Sequence, residues 1–328
     1  MIRIGLLGCG RIGQVHARTL KGINIARIVA VADAIPKAAQ AMADATGAEL
    51  RETDAILSAD DIDAVVIGTP TITHFAQIEA ATQASKAIFC EKPVDMSVDN
   101  IRTLMAGIEA AGVPFFTAFN RRFDPNFAAL QARLGAGEIG AVELIQITSR
   151  DPSPPPIDYI KTSGGLFRDM MIHDFDMARF LMGEEFTTLH AVGSSLVDPE
   201  IGEAGDVDTA AVTLTTASGR ICLISNSRRA AYGYDQRIEV HGERGMLRAE
   251  NILETSVESA TAEGFKRSPT LHFFLERYEA AYAAEMKAFI AAIAAGETPT
   301  PSIRDGLQAQ ILADAATQSC QTGQPVAL

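Results

Sequence analysis

The stretch IRIGLLGCGRIGQVHARTL, residues 2–20, constrains the fold more than any other part of the chain. It places Gly8, Gly10 and Gly13 in G-x-G-x-x-G spacing directly after an apolar run that reads as a strand and directly before a helical pattern. In that setting the first glycine permits a tight turn and the second lets backbone approach a pyrophosphate. The third lets helix and strand pack closely, and the helix N-terminus favours the negative charge. Arg11 and Ile12 lie inside the same turn and belong to the expected cofactor contacts. A second apolar run, RIVAVAD, ends at Asp33, about 20 residues beyond the last glycine, where a carboxylate accepts hydrogen bonds from the ribose hydroxyls. None of the three residues after Asp33 is Arg or Lys, so nothing there would neutralise a 2'-phosphate, and NAD is expected over NADP.

The first third of the chain continues as it begins. Short apolar runs at 2–7, 27–32, 63–68, 86–90 and 114–119 alternate with helical patterns at 11–21, 36–46, 74–85 and 98–111. That alternation is the signature of βαβ units on a parallel sheet. Ser97 is placed to cap the last of these helices, and Asp124 with Pro125 to open another. The rhythm then changes: AVELIQITSR, TAAVTLTTASGRICLISNSRR and QRIEVHGERGMLRAE are longer strand-like runs, with helices expected only near 165–182 and 275–294. Strands grouped together imply an α+β domain on an open, mostly antiparallel sheet. The expected organisation is therefore a Rossmann dinucleotide-binding domain over 1–120 and an α+β domain for substrate and oligomerisation over 121–300. A C-terminal helix over 301–328, capped by Ser302 with Asp305 in its first turn, packs back on the core.

Composition removes several function classes. With 328 residues and 47% hydrophobic content the chain can bury two cores. A formal charge of -13 argues against a nucleic-acid partner. No apolar run reaches the roughly 20 residues needed to span a bilayer; AAYAAEMKAFIAAIAA is interrupted by Glu285 and Lys287. The N-terminus has no signal-peptide layout. Cys9, Cys90, Cys222 and Cys320 are widely spaced, suggesting neither a metal site nor a disulfide framework, and a reducing cytoplasm is expected.

Two further stretches carry chemistry. In AIFCEKPVDMS a buried strand ends in Glu91 and Lys92, and Pro93 disfavours helical backbone at Lys92. A later parallel strand delivers its carboxyl end to the edge where open α/β sheets bind ligands. Lys92 is thus aimed toward the nicotinamide end, and the same reasoning brings in Thr69 and Pro70 after DAVVIG, with His74 opening the next helix. In GGLFRDMMIHDFDMARFLMG, helical periodicity puts Asp169, His173 and Asp176 on one side and Met171, Phe175, Ala178 and Met182 on the other. A dinucleotide fold, a lysine at the strand edge and an Asp/His pair suit the oxidation of a secondary alcohol. His173 serves as base, Asp169 orients it, and Lys92 donates to the substrate oxygen.

Taken together, GLLGCGRIGQVHARTL, CEKPVDMS, AFNRRFDPNF and GGLFRDMMIHDFDMARFLMG resemble the glucose-fructose oxidoreductase, inositol dehydrogenase and MocA family over essentially the whole chain. NRRFDPNF, SRDP and YGYDQRIEVHGERGML draw it toward the inositol 2-dehydrogenase branch. The resemblance implies NAD-dependent oxidation of myo-inositol to 2-keto-myo-inositol in inositol catabolism, by a homotetramer assembled through the open sheet of the second domain. It implies catalytic roles for Lys92, Asp169 and His173, and places Asn120 and Arg121 along substrate and nicotinamide. It adds Ser149 and Asp151 of SRDP as substrate contacts, where relatives often show HRNP, and Tyr234 in preference to Tyr232. Another inositol isomer, an aldose or a sugar acid is the alternative substrate, the last because Arg121, Arg122, Arg228 and Arg229 suit carboxylates. A non-catalytic NAD(H) sensor is the alternative of another class.

Overall fold

The computed structural model describes all 328 residues. Its contacts divide the chain into two units, Met1–Phe123 with Ala281–Gln310, and Asp124–Ala280 with Ile311–Leu328.

The first 123 residues run β1 (Ile2–Leu7), α1 (Arg11–Lys21), β2 (Ala26–Ala32), α2 (Pro36–Thr46), β3 (Glu49–Leu50), α3 (Thr53–Ser58), β4 (Ala64–Ile67), α4 (His74–Gln83), β5 (Ala87–Cys90), α5 (Val98–Ala111) and β6 (Phe115–Thr117). The sheet is parallel, in the order β3-β2-β1-β4-β5-β6. AVVI of β4 and AIFC of β5 are buried at every position. Such continuous apolar runs form strands covered on both faces, as a doubly wound sheet requires. The strand order reverses beside β1, so the carboxyl ends of β1 and β4 flank the crevice where such folds bind ligands. The sequence pattern predicts neither β3 nor α3, because two and six residues are too few to display a period.

The second unit contains α6 (Pro125–Gly135), β7 (Val142–Arg150), α7 (Ile157–Ser163), α8 (Gly165–Asp169), α9 (Ile172–Met182), β8 (Phe186–Ser194), α10 (Pro199–Glu203), β9 (Thr209–Thr216), β10 (Ile221–Ser227), β11 (Asp235–Gly242), β12 (Gly245–Ala249), the exposed hairpin β13 (Glu258–Thr261) and β14 (Gly264–Arg267), and α11 (Phe274–Arg277). Two long helices, α12 (Glu279–Ala295) and α13 (Ile303–Thr322), and the short β15 (Val326–Ala327) complete the chain. The sheet order is β12-β11-β7-β10-β9-β8-β15, and only the β7–β10 pair runs parallel. Inward-facing Val212, Leu214, Cys222, Ile224, Ile238 and Val240 are all buried, in alternation with exposed or half-buried neighbours. One face of this sheet is therefore core.

The units differ from the domain limits expected of the sequence. The first ends at Phe123 rather than 120, and Ala281–Gln310 rejoins it, so the stretch 121–300 is not one unit and α13 contributes to both. The reason is apolar: Met286, Phe289 and Ile290 of α12 belong to the same core cluster as Ile4, Val31, Val66, Phe89 and Phe116. Phe89 and Phe116 stack with centroids 5.1 Å apart, and the Phe289 ring meets both edge-on. Burying each such side chain contributes about 1.5–3 kcal/mol, enough to recruit a helix distant in sequence.

Helix ends follow their sequence signals. Ser97 Oγ accepts from Asn100 N at 3.3 Å, and Asp124 accepts from Asn126 N and Phe127 N at 3.1 and 3.2 Å. Asp305 accepts from both the backbone N–H and the hydroxyl of Ser302, at 2.8 and 2.9 Å. The helix expected over 165–182 is interrupted between α8 and α9. There the Leu166 carbonyl accepts from both Met170 N and Met171 N, at 3.0 and 2.9 Å, which widens the turn by one residue. The expected apolar side is buried, at Met171, Phe175, Ala178 and Met182; Asp176, expected beside Asp169 and His173, is fully buried as well.

Candidate active site

The cofactor end is built within the first unit. Gly8 has φ +93°, and a Cβ there would lie 2.4 Å from the Gly68 carbonyl oxygen, so only glycine lets the ends of β1 and β4 meet. A Cβ on Gly13 would fall 2.0 Å from the Gly8 oxygen. Gly10 differs: a Cβ would meet nothing within 4 Å, so its absence keeps open a space at the N-terminus of α1. No side chain caps that helix end and no acid stands in its first turn. Its first-turn N–H groups and positive end therefore suit a diphosphate.

Asp33 is tied to the same turn. Its Oδ2 accepts from Cys9 N at 2.6 Å and its Oδ1 from Ile35 N at 2.7 Å, which fixes the carboxylate just beyond β2. Each oxygen retains a lone pair, so the pair of ribose hydroxyls of NAD fits it, while a 2'-phosphate would meet its charge. Burial, and then the nearby Asp33 charge, pushes the Cys9 thiol up to about 11, so this cysteine is an inert wall of the turn.

The edges of β4 and β5 are joined by His74. Its Nε2 lies 2.9 Å from the Thr69 carbonyl oxygen and its Nδ1 3.0 Å from that of Pro93. The residue is 1% exposed. Burial pushes the imidazole pKa down, against the upward pull of the two carbonyls. Both ring nitrogens are thus directed at backbone carbonyls of the turns that carry Thr69, Pro70 and Lys92. Thr69 Oγ1 donates to Gln77 at 2.8 Å. Glu91 Oε1 lies 2.7 Å from Nε2 of buried His16 on α1. Lys92 is half-buried at the end of β5, and Asn120 and Arg121, just past β6, are buried.

In the second unit Asp169 ends α8 and His173 lies in the first turn of α9, both half-buried. Asp169 Oδ1 accepts from the Tyr159 hydroxyl at 2.9 Å, and its Oδ2 stands 3.6 Å from Arg228 Nη2. Neither partner was evident in the sequence. Tyr159 follows the proline run that reads as an extended loop, yet the chain turns helical at Ile157. Of the SRDP pair, Asp151 is half-buried, but Ser149 has no exposed surface and donates to Gln236 Oε1 at 2.7 Å. The Ser149 side chain alternates to the covered face of β7, where this bond links it to β11. Tyr232 is half exposed, but its hydroxyl donates to Asp235 at 2.7 Å and accepts from Arg150 at 2.9 Å. Tyr234 is buried, edge-on to Tyr278 with centroids 5.9 Å apart.

A parallel sheet with a glycine turn, an acid after the second strand and an open helix N-terminus defines a dinucleotide-dependent oxidoreductase. Comparison with known proteins narrows this further. Residues 2–119 match the oxidoreductase family's NAD-binding Rossmann fold and residues 131–328 its C-terminal alpha/beta domain. The chain belongs to the Gfo/Idh/MocA oxidoreductase family, and its cofactor is NAD. An inositol 2-dehydrogenase from Rhizobium meliloti is 55% identical over 97% of this chain and 96% of its own. A myo-inositol dehydrogenase structure from Corynebacterium glutamicum superposes with TM-score 0.96 at 44% identity, covering 100% of this chain and 99% of its own. A second, from Lactobacillus casei in complex with NAD(H) and myo-inositol, does so with TM-score 0.89 at 26% identity, covering 100% and 97%.

Proposed function

We propose that this protein oxidises one secondary hydroxyl of myo-inositol to the 2-ketone with NAD, as an inositol 2-dehydrogenase serving inositol catabolism. The observation that carries the substrate is the 55% identity, over nearly the full length of both chains, with an inositol 2-dehydrogenase. When bound, NAD supplies the carbon that accepts the hydride from the carbinol. The chain's own residues do the rest. The His173 imidazole takes the hydroxyl proton, and the Asp169 carboxylate, held by Tyr159, orients it. Lys92 donates to the same oxygen and favours its alkoxide character. Asn120, Arg121, Asp151 and Tyr234 serve as further contacts.

A neutral polyol suits the arginines better than a sugar acid does. Arg122 donates to Asp305 at 2.8 Å and Arg228 faces Asp169 and Asp206, so both are already matched to carboxylates of the chain. We also propose assembly as a homotetramer through the second sheet, whose outer face exposes Val192, Ile221 and Leu223. The cytoplasm is the proposed compartment: no helix is long and apolar enough to cross a membrane, and all four cysteines are unbonded.

The test is initial-rate NADH formation on inositol isomers, aldoses and sugar acids with each nicotinamide cofactor, in wild type and His173→Ala. We expect myo-inositol with NAD to lead, and His173→Ala to lose about 100-fold or more in turnover with NADH affinity unchanged. A preference for an aldose or uronate overturns the substrate, and unchanged turnover removes His173 from the mechanism.

A further inference from the structure

Arg228 follows β10 and is 1% exposed, the largest of the fully buried side chains. Its backbone N–H donates to the Asp208 carbonyl at 2.8 Å, which anchors it beside the loop that carries Asp206. The guanidinium does not serve as an ordinary hydrogen-bonding group. Nε and Nη2 are buried without a hydrogen-bond partner, while Nη2 stands 3.6 Å from Asp169 Oδ2 and 3.9 Å from Asp206 Oδ2. These separations exceed a hydrogen bond but lie well within the range of a strong charge interaction at a buried position.

Burying a guanidinium with two unspent donors is unfavourable, and an apolar side chain would fill the same volume without that penalty. What an apolar side chain cannot supply is a positive charge near two carboxylates. One of them, Asp206, accepts the Leu166 N–H with both oxygens, at 3.0 and 3.1 Å, at the start of the helix that ends in Asp169. Gly165 abuts the same carboxylate so closely that a Cβ would lie 2.7 Å from its Oδ1. The Tyr159 hydroxyl holds Asp169 from its other oxygen. Arg228 therefore acts on Asp169 directly through its charge, and indirectly through Asp206 and the backbone of α8.

We propose that Arg228 is a positioning residue for the dehydrogenase reaction, a buried counter-charge that holds the Asp169 carboxylate where His173 needs it. This rests on the reading of Asp169 and His173 as catalytic groups, and Asp169→Asn tests that reading separately: if it leaves turnover intact, the catalytic assignment fails whatever Arg228 does. The test of Arg228 uses the full-length enzyme, with myo-inositol oxidation followed by NADH absorbance. Arg228→Met should lower kcat about tenfold or more while the NADH dissociation constant stays at the wild-type value. In the Asp169→Asn background the same substitution should cost almost nothing further, because the two residues act as one unit. Arg228→Ala should be accelerated by millimolar guanidinium and not by equimolar urea, which has the same shape without the charge. A kcat for Arg228→Met within twofold of wild type overturns the proposal. So do equal losses in the presence and absence of Asp169, or equal rescue by guanidinium and urea, since each would mark Arg228 as a space filler. Should Arg228→Met fail to fold, Arg228→Lys decides: retained charge predicts turnover above that of Arg228→Ala, and equal turnover overturns the proposal.

Discussion

Glu285, on α12 in the core of the first unit, has no exposed surface, and neither of its carboxylate oxygens has a hydrogen-bond partner. Burial, and to a lesser degree the charge of Glu91, holds its carboxyl well above the usual carboxylate range. The folded chain therefore keeps a proton that the unfolded chain releases. The unfolded carboxyl titrates near 4.3, so stability is fully present below that pH. It declines by about 1.4 kcal/mol per unit above it, until the folded carboxyl itself ionises. Glu285→Gln keeps the shape and the neutral form while removing the proton equilibrium. We expect the variant to match wild type in stability near pH 4.5 and to exceed it by a margin that grows as the pH rises toward the folded-state pKa, by at most about 1.4 kcal/mol per unit. The chain has no tryptophan, so urea unfolding is best followed by far-UV circular dichroism, at one protein concentration and one ionic strength. The difference between the two proteins cancels titrating groups that do not interact with Glu285. A difference independent of pH would refute the reasoning, because it would mean that Glu285 is ionised in the fold.

Two further predictions concern the cofactor turn. Gly13→Ala drives a methyl to 2.0 Å from the Gly8 carbonyl oxygen, which must displace α1 or the turn; we expect about 1–3 kcal/mol of destabilisation in thermal scans and at least a tenfold weaker NADH complex in fluorescence titration. Asp33→Ala removes the acceptor for Cys9 N and Ile35 N, with each such bond to a charged group worth about 1.5–3 kcal/mol; NAD affinity should fall more than NADP affinity, and parallel titrations with both cofactors check it.

The nucleotide half was the more legible part of the chain. Its strands are buried on both faces and its helices run ten or more residues at α1, α2, α4 and α5, so period and burial agree. Gly8, Gly13 and Asp33 could be read because backbone geometry restricts those positions to one residue type or charge. The two carbonyl partners of His74 could not: a histidine opening a helix looks the same in sequence whether its nitrogens face solvent or backbone. In the second half, periodicity sorted Met171, Phe175, Ala178 and Met182 correctly onto a buried side. It failed to register the extra residue in the turn at Met170 and Met171, since a widened turn leaves hydrophobic spacing nearly unchanged over so short a helix.

The residues that sequence reasoning missed share a physical cause. Glu285 serves in a helical pattern as evidence against a membrane span, and Arg228 reads only as one of four arginines that suit a carboxylate; the structure buries both completely. Charged residues are expected outside unless paired, so pattern reading assigns them to solvent by default and errs where a chain retains a charge for its effect on a neighbour. The two cases differ in outcome because their chemistry differs. A carboxyl can shed its charge by keeping a proton, so Glu285 needs no partner and its burial appears as a pH-dependent loss of stability. A guanidinium cannot shed its charge in any accessible pH range, so Arg228 must be balanced by carboxylates, and those within reach are Asp206 and Asp169. A permanent buried cation thus requires an anion at a fixed place. In this unit that anion is the residue to which the proposed chemistry assigns the orientation of His173.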